Sequence, residues 1–150
     1  MPIATKSSKY DISKESATAS IAKKLSTIVK KGDVLFFFGE IGVGKTTFIR
    51  YLINNLQKKN RLKLTEVPSP TFNLLNEYEI KELLIQHYDL FRIKNVNETK
   101  NIGLLENCNN VLTLVEWPEK IKKKLKSRIE LIFEYKSKLD QRILKINDFR

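Results

Sequence analysis

The segment that most constrains what this chain can fold into is residues 39–46, which read Gly-Glu-Ile-Gly-Val-Gly-Lys-Thr. This is the G-x-x-x-x-G-K-[ST] pattern of a phosphate-binding loop. Gly39 and Gly44 carry no Cβ atom, so the backbone can adopt left-handed angles and approach an anion closely. Such a loop points successive N–H groups inward, and the positive end of the following helix adds to the attraction for phosphate.

The residues around this loop stand in the order strand, loop and helix that phosphate binding requires. Residues 33–38 are a short apolar run typical of a buried strand, and residues 45–58 continue with the apolar spacing of a helix. We expect Lys45 to reach the outer phosphates of a nucleotide and the Thr46 hydroxyl to bind Mg²⁺. The predicted nucleotide-binding residues are the loop and its first helical turn: Gly39, Glu40, Ile41, Gly42, Val43, Gly44, Lys45, Thr46 and Thr47.

The length of 150 residues suits a single domain over 1–150, with an irregular lead-in over 1–11. No apolar run approaches the roughly 20 residues that span a bilayer, and the N-terminus lacks the apolar stretch of a secretory signal, so we expect no membrane association. The single cysteine, Cys108, fits a reducing cytoplasm. The net charge of +11 favours polyanionic partners, although a solvated lysine-rich surface gives the same charge.

Further helices and strands are predicted on both sides of the loop. Ser13 is expected to cap an N-terminal helix with an apolar stripe. The other predicted elements are strands at 72–78, 83–88 and 111–115, short helices at 97–100 and 118–126, and a final hairpin at 128–135 and 141–146. The short link between the strands at 72–78 and 83–88 makes them antiparallel. The sequence therefore predicts an α/β fold of the P-loop NTPase type: a mixed, mainly parallel sheet flanked by helices, with a C-terminal β-hairpin.

Two acidic residues follow apolar strands, where a phosphate loop needs a second acid for its metal. Glu116 follows the more apolar strand and is favoured as the Mg²⁺ ligand, directly or through water. Asp89 either orients or deprotonates an attacking water, or is a structural carboxylate that pairs with Arg92 or caps a turn. His87 fits a hydrogen-bonded structural role better than that of a base.

Four separated segments of the chain together resemble the TsaE (YjeE) family of small bacterial ATPases. They are Gly39-Glu-Ile-Gly-Val-Gly-Lys-Thr-Thr47, Ser69-Pro-Thr-Phe72, His87-Tyr-Asp-Leu-Phe-Arg92 and Val115-Glu-Trp-Pro118. The phosphate loop alone names no family, whereas the other three segments, in this order and spacing, are specific to this one. The resemblance covers residues 13–135 and is weakest at 58–66 and in the C-terminal hairpin.

The resemblance implies a function in forming N6-threonylcarbamoyladenosine at position 37 of tRNAs that read codons beginning with A. Members of the family bind and hydrolyse ATP with Mg²⁺ while docked on the TsaB–TsaD pair, so contact with tRNA is expected to be indirect. By motif match, Lys45 and Thr46 would hold phosphates and Mg²⁺, and Glu116 would serve the metal. Asp89 would be the catalytic acidic residue, acting with Lys45.

The resemblance also implies roles for residues outside the loop. Ser69 and Thr71 would belong to a switch region near the γ-phosphate. Trp117 would either pack or contact a partner or the nucleotide. The adenine pocket of the family lies near its N-terminal helix, which makes Glu15 a candidate there. No role carries over to residues 136–150.

The leading interpretation is a cytoplasmic ATP hydrolase of tRNA processing. Because no arginine in the chain stands out as an arginine finger, turnover is expected to be slow alone and faster when the partners dock. The alternatives are a small-molecule kinase of the P-loop type and a nucleic-acid-binding module that uses ATP only as a ligand. Sparse arginines and short insertions disfavour the kinase, and the lack of aromatic residues among the basic runs disfavours the binding module.

Overall fold

The computed structural model describes residues 7–95, 97–122 and 125–150, which fold around one seven-stranded sheet. The strands are β1 (Ser7–Asp11), β2 (Val34–Phe38), β3 (Leu75–Ile80), β4 (Leu83–Asp89), β5 (Leu112–Glu116), β6 (Ile129–Tyr135) and β7 (Arg142–Asp148). The helices are α1 (Glu15–Ser26), α2 (Lys45–Lys59) and α3 (Asn97–Asn101), with short 3-10 helices at Cys108–Asn110 and Pro118–Lys120.

The strands lie in the order β1-β7-β6-β2-β5-β4-β3. Neighbours among the four central strands β6, β2, β5 and β4 are parallel, whereas the outer pairs β1–β7, β7–β6 and β4–β3 are antiparallel. Only β3 and β7 therefore run against the other five strands. The α/β class, the mixed and mainly parallel sheet and the C-terminal hairpin are confirmed.

Strand β2 lies in the middle of the sheet and is buried on both faces. Leu35 and Phe37 belong to the apolar cluster under α1 and α2, and Val34 and Phe36 belong to the cluster on the opposite face. A strand covered on both faces has no polar alternation, which explains the continuous apolar run of the sequence. Its carboxyl end delivers the phosphate loop to the edge of the sheet where the parallel strands β4 and β5 also end.

The two faces of the sheet are covered differently. On one face α1 and α2 pack on the strands through buried residues such as Leu25, Phe48 and Leu52. On the other face the cover comes from the chain between β4 and β6, including Leu90 and Leu105. No helix in the described ranges is long and apolar enough to cross a bilayer.

The N-terminal segment differs from the prediction. Residues 7–11 form β1, an edge strand paired with β7, and are not an irregular lead-in; the residues before Ser7 lie outside the described ranges. The strand alternates exposed and half-buried side chains, so its sequence lacks an apolar run. Ser13 does not cap α1, because its Oγ accepts a hydrogen bond from the backbone N–H of Arg142 at 3.1 Å, and Lys14 holds the cap position.

Two other predicted elements are shorter than expected. Strand β3 begins at Leu75, after a turn in which the backbone N–H of Leu74 donates to the carbonyl of Pro70 at 2.6 Å. The predicted helix at 118–126 is a 3-10 turn at Pro118–Lys120, and the residues described after it, 121, 122, 125 and 126, are not helical. Residues 123 and 124 lie outside the described ranges.

Candidate nucleotide-binding site

The phosphate loop has the backbone geometry that its glycines predict. Gly39 and Gly44 have φ angles of +147° and +117°, in the left-handed region that side chains avoid. A Cβ atom on Gly39 would lie 2.8 Å from the carbonyl oxygen of Phe133 on β6, closer than real contacts allow. Helix α2 begins at Lys45, so the N–H groups of its first turn have no partner within the helix and lie next to the loop. The loop is thus a preformed site for an anion.

Lys45 is buried, with 4% of its surface exposed, although it carries a positive charge. Its Nζ donates to the carbonyl of Gly39 and lies 3.8 Å from the centroid of the Trp117 ring. Burial lowers the pKa of Lys45, and the negative charges of Glu116, Glu119 and Asp89 partly offset that effect. None of the ion pairs among the described residues includes Lys45. A buried ammonium held by a carbonyl and a ring is ready to exchange those contacts for phosphate oxygens.

Glu116 at the end of β5 lies beside the first turn of α2. The Thr46 hydroxyl donates to its carboxylate, at 2.9 Å from Oε1 and 3.1 Å from Oε2. His87 on β4 is fully buried, and its Nε2 lies 2.7 Å from Oε2 of Glu116. His87 therefore holds the carboxylate in place and does not reach the cavity, which agrees with the structural role predicted for it.

The oxygens of Thr46 and Glu116 are hard ligands of the kind that Mg²⁺ prefers. The described ranges contain no group of three or more His, Cys, Asp or Glu side chains arranged to hold a metal by themselves. Mg²⁺ commonly takes one or two protein ligands and completes its shell with nucleotide phosphates and water. The donor set therefore fits Mg²⁺ that arrives with a nucleotide, rather than a metal bound by the protein alone.

Asp89 lies next to Glu116, because the two residues are register partners on β4 and β5. Its Oδ2 accepts hydrogen bonds from Ser69 Oγ at 2.6 Å and Thr71 Oγ1 at 3.3 Å, and its Oδ1 accepts one from the N–H of Phe91 at 3.0 Å. Asp89 thus ties the segment with Ser69 and Thr71 to the site. Of the two structural alternatives expected for Asp89, turn capping is present as the bond from the Phe91 N–H. The guanidinium of Arg92, the other expected partner, lies over the Phe72 ring.

A cavity of about 400 Å³ joins these groups into one site. It is lined by residues of the loop, the segment with Ser69 and Thr71, and residues at or next to three strand ends: Ile41, Gly42, Gly44, Lys45, Thr46, Thr47, Ser69, Thr71, Asp89, Phe91, Glu116, Trp117 and Arg142. Trp117 has a left-handed backbone with φ +60°, and its ring contacts Phe91 at a centroid distance of 4.9 Å. Strained backbone of this kind is typical of functional sites.

Most of the predicted site residues meet at this cavity. Gly39, Glu40 and Val43 shape the loop but do not line the cavity. Glu15 lies apart, where its Oε2 accepts a hydrogen bond from Tyr51 Oη at 3.0 Å and its Oε1 lies 3.8 Å from Arg50 Nη2. The structure therefore does not bring Glu15 to the groups that face the cavity.

The sequence analysis missed Arg142, which lines the cavity from the start of β7. Its Nη1 donates to the carbonyl of Val43 in the phosphate loop at 3.3 Å. No motif marks this residue, and it lies in the hairpin to which no family role carried over. The pairing of Arg142 with Tyr135 across that hairpin, two strands away from the loop, contributes to this position.

A protein-family model and the names of two relatives point to the same family. The matching family model, over residues 12–144, is described as "Threonylcarbamoyl adenosine biosynthesis protein TsaE". A protein of Rickettsia felis is 39% identical over 111 residues, which cover 74% of this chain and 63% of that protein. A protein of Aquifex aeolicus is 33% identical over 126 residues, covering 83% of this chain and 88% of that protein. Both are named "tRNA threonylcarbamoyladenosine biosynthesis protein TsaE".

A solved structure has the same fold. The crystal structure of YdiB from Bacillus subtilis matches with a TM-score of 0.75 at 25% identity, over 97% of this chain and 87% of that chain. The chain spans 63% and 62% of the lengths of the relatives from Rickettsia felis and Rickettsia conorii. Because the family model matches most of the chain, and relatives more than 30% identical share its name, the chain belongs to the TsaE family of tRNA threonylcarbamoyladenosine biosynthesis proteins.

Proposed function

We propose that this chain is a Mg²⁺-dependent ATPase that acts on the TsaB–TsaD pair in forming N6-threonylcarbamoyladenosine at position 37 of tRNAs reading codons that begin with A. The observation that carries the proposal is the contact of Thr46 with Glu116 beside the buried ammonium of Lys45. These groups supply, on one side of the phosphate loop, both the cation and the hard oxygens that Mg-ATP hydrolysis requires.

The loop and Lys45 bind the triphosphate. The N–H groups at the start of α2 and along the loop surround the phosphates, and Lys45 Nζ leaves the Gly39 carbonyl for the β- and γ-phosphate oxygens. Lys45 thereby neutralises charge that develops on the transferring phosphoryl group. The exchange keeps the ammonium hydrogen-bonded, and the negative charge of the phosphate offsets the cost of its burial.

Thr46 and Glu116 would hold the metal of Mg-ATP. When bound, Mg²⁺ would supply positive charge that polarises the phosphates. His87 fixes the direction of the Glu116 carboxylate through its 2.7 Å contact, so the acceptor oxygens need no reordering when the metal arrives.

Asp89 orients the attacking water. Its carboxylate faces the cavity next to Glu116, and its present hydrogen-bond donors are the hydroxyls of Ser69 and Thr71 and the N–H of Phe91. Water takes a place among these donors, and the carboxylate then aligns it or accepts its proton. Ser69 and Thr71 belong to the segment expected to respond to the γ-phosphate, so the nucleotide state and the position of this segment are coupled.

Exposed apolar side chains around the cavity support a partner at its mouth. Ile41 and Phe91 line the cavity and are 67% and 41% exposed, and Phe72, next to Thr71 in the sequence, is 84% exposed. Exposed apolar side chains beside a cavity are typical of protein interfaces. We therefore assign the TsaB–TsaD pair to this side of the molecule, where docking can order Ser69 and Thr71 and raise the rate of hydrolysis.

The test is steady-state release of free phosphate from ATP, with and without the TsaB–TsaD pair and with and without Mg²⁺. We expect slow release by the chain alone and a marked rise on docking. Equal rates would contradict action on the pair. Phosphate recovered on a metabolite instead of as free phosphate would identify the alternative, a small-molecule kinase.

The metal assignment has its own test in Glu116→Ala, compared with Glu119→Ala, which removes an exposed carboxylate close by. We expect Glu116→Ala to raise the Mg²⁺ concentration for half-maximal hydrolysis about tenfold or more, as for loss of a ligand or its support. Glu119→Ala should stay near the wild-type value. The same Mg²⁺ requirement in both variants would remove Glu116 from the metal site.

A further inference from the structure

Arg142 is held beside the phosphate loop by its backbone. It is the first residue of β7, and its N–H donates to Ser13 Oγ at 3.1 Å. Its carbonyl accepts a hydrogen bond from the N–H of Ile12 at 3.0 Å, and it pairs with Tyr135 on β6. The side chain therefore starts from a point fixed on two sides, which lowers the entropy cost of holding it at the loop.

The guanidinium has unused donors. Nη1 donates to the Val43 carbonyl at 3.3 Å, and it lies 3.6 Å from the position a Cβ atom on Gly44 would take. Nε is buried without a hydrogen-bond partner. None of the ion pairs between described residues includes Arg142. A guanidinium has five N–H donors, so the second N–H of Nη1 and the two on Nη2 are left for a ligand in the cavity.

The order of the strands places Arg142 on the opposite side of the loop from the acids. Asp89 ends β4 and Glu116 ends β5, on one side of β2, whereas β6 and β7 lie on the other side. The metal and the attacking water belong to the side with the two carboxylates, where the γ-phosphate must lie. A cation on the far side faces the part of the phosphate chain nearest the nucleoside.

We propose that Arg142 binds the α-phosphate end of the nucleotide through its free guanidinium N–H groups. This inference rests on the proposed nucleotide site and adds a second protein cation to it, opposite Lys45. Arg142 then contributes to nucleotide affinity and not to the rate of cleavage. It contacts ATP and ADP equally, since both carry the α-phosphate. The γ-phosphate is cleaved at the other side of the cavity.

The test is calorimetric titration of Mg-ATP and Mg-ADP into the wild type, Arg142→Gln, Arg142→Lys and Lys145→Gln. Gln keeps a neutral donor for the Val43 carbonyl, whereas Lys keeps the charge. Lys145 is the control, because it lies on the same strand and pairs with Glu134 on the surface at 3.3 Å. We expect Arg142→Gln to weaken both nucleotides by the same factor of about ten or more, as for loss of a charge-assisted hydrogen bond. Arg142→Lys should lose less, and Lys145→Gln should match the wild type.

The salt dependence of nucleotide affinity distinguishes a charge contact with phosphate from a purely structural role of Arg142. A lost charge contact with phosphate makes the affinity of Arg142→Gln less dependent on salt than that of the wild type. If Arg142→Gln binds within about twofold of the wild type, or loses ATP affinity while keeping ADP affinity, the assignment is overturned. Unchanged salt dependence in a weakened Arg142→Gln would also overturn it, since only the loop would then be affected. Absence of nucleotide binding by the wild type would instead overturn the proposed function, and this inference with it.

Discussion

At the residue scale, Lys45 shows how a site for phosphate conflicts with folding. The pKa of Lys45 is lowered in the folded chain, so folding favours the neutral amine over the ammonium. The resulting cost to stability is present at pH values below the folded pKa and disappears as the pH rises above the unfolded pKa. The ammonium form of Lys45 is therefore a destabilising group that the phosphate of a ligand compensates.

Lys45→Met should separate binding from stability. Met fills the same space without a charge, so the variant should unfold at the same temperature as the wild type or higher, as measured by thermal circular dichroism at pH 7. Its ATP affinity should fall by about 2–5 kcal/mol, as for loss of one partner of a buried charge contact. Lys58→Met, an exposed lysine on the same helix, is the control for both measurements. Lower stability of Lys45→Met combined with retained ATP affinity would contradict this account.

Enzyme kinetics can decide whether Asp89 is catalytic or structural. Asp89→Asn keeps one oxygen acceptor for the Phe91 N–H, removes the negative charge, and places an amide NH2 that the Ser69 hydroxyl can accept from in the position of Oδ2. In the presence of the TsaB–TsaD pair, we expect its kcat to fall about 10²–10⁴-fold, the usual contribution of a general base. Its ATP affinity should change little. Ser69→Ala is the comparison, because it loosens the segment and leaves the carboxylate. Wild-type kcat in Asp89→Asn, or an equal loss in Ser69→Ala, would return Asp89 to a structural role.

At the scale of elements, the chain between α2 and β3 is the least regular part of the site. No helix or strand covers residues 60–74, and the contacts that hold the segment include the buried side chain of Val67, the Ser69 bond to Asp89, and a group around Gln57. Gln57 Nε2 donates to Thr65 Oγ1 at 2.8 Å, and its Oε1 accepts from the Thr65 N–H at 3.2 Å. A segment held by few bonds is able to change position with the nucleotide.

Gln57→Leu should loosen this segment without entering the cavity. The substitution removes two hydrogen bonds to the exposed Thr65, each worth about 0.5–1.5 kcal/mol of unfolding free energy. Hydrogen exchange should speed up over residues 62–74 and stay unchanged in the core of the sheet. Asn55→Ala is the control, because its side chain bonds only the Tyr51 carbonyl of its own helix. Unaltered exchange over the segment would mean that other contacts hold it.

The same elements show how far the sequence alone predicts the fold and the site. The phosphate loop, β2, α2 and the hairpins follow from local signals: glycine spacing, apolar runs and short turns. Glu116 and Asp89 follow from the rule that ligands meet the carboxyl ends of parallel strands. Strand β1, the bond of Ser13 to Arg142, and Arg142 itself at the loop depend on strand order across the sheet. That order joins residues far apart in sequence, and no local pattern contains it.

At the scale of the whole molecule, the sheet distributes the chemistry along one edge. The acids at the ends of β4 and β5, the loop after β2 and Arg142 at the start of β7 follow one another in strand order. In the proposed function this arrangement would align a nucleotide across the sheet, with its reacting end at the carboxylates. The net charge of +11 is a separate property of the whole chain, and it favours encounters with polyanions.

That charge leads to a prediction about tRNA. If contact with tRNA is indirect, the isolated chain should bind RNA only through general attraction, which releases counterions and weakens steeply with salt. In filter binding, tRNA and an unrelated RNA of equal length should bind alike at low salt, and both should be lost near about 0.2 M salt, where several phosphate contacts cost roughly 10³-fold or more in affinity. Lys45→Met should behave as the wild type, because its cavity does not hold RNA. Binding that persists in high salt and prefers tRNA would instead mean that this chain contacts tRNA directly, and that the TsaB–TsaD pair is not its only macromolecular partner.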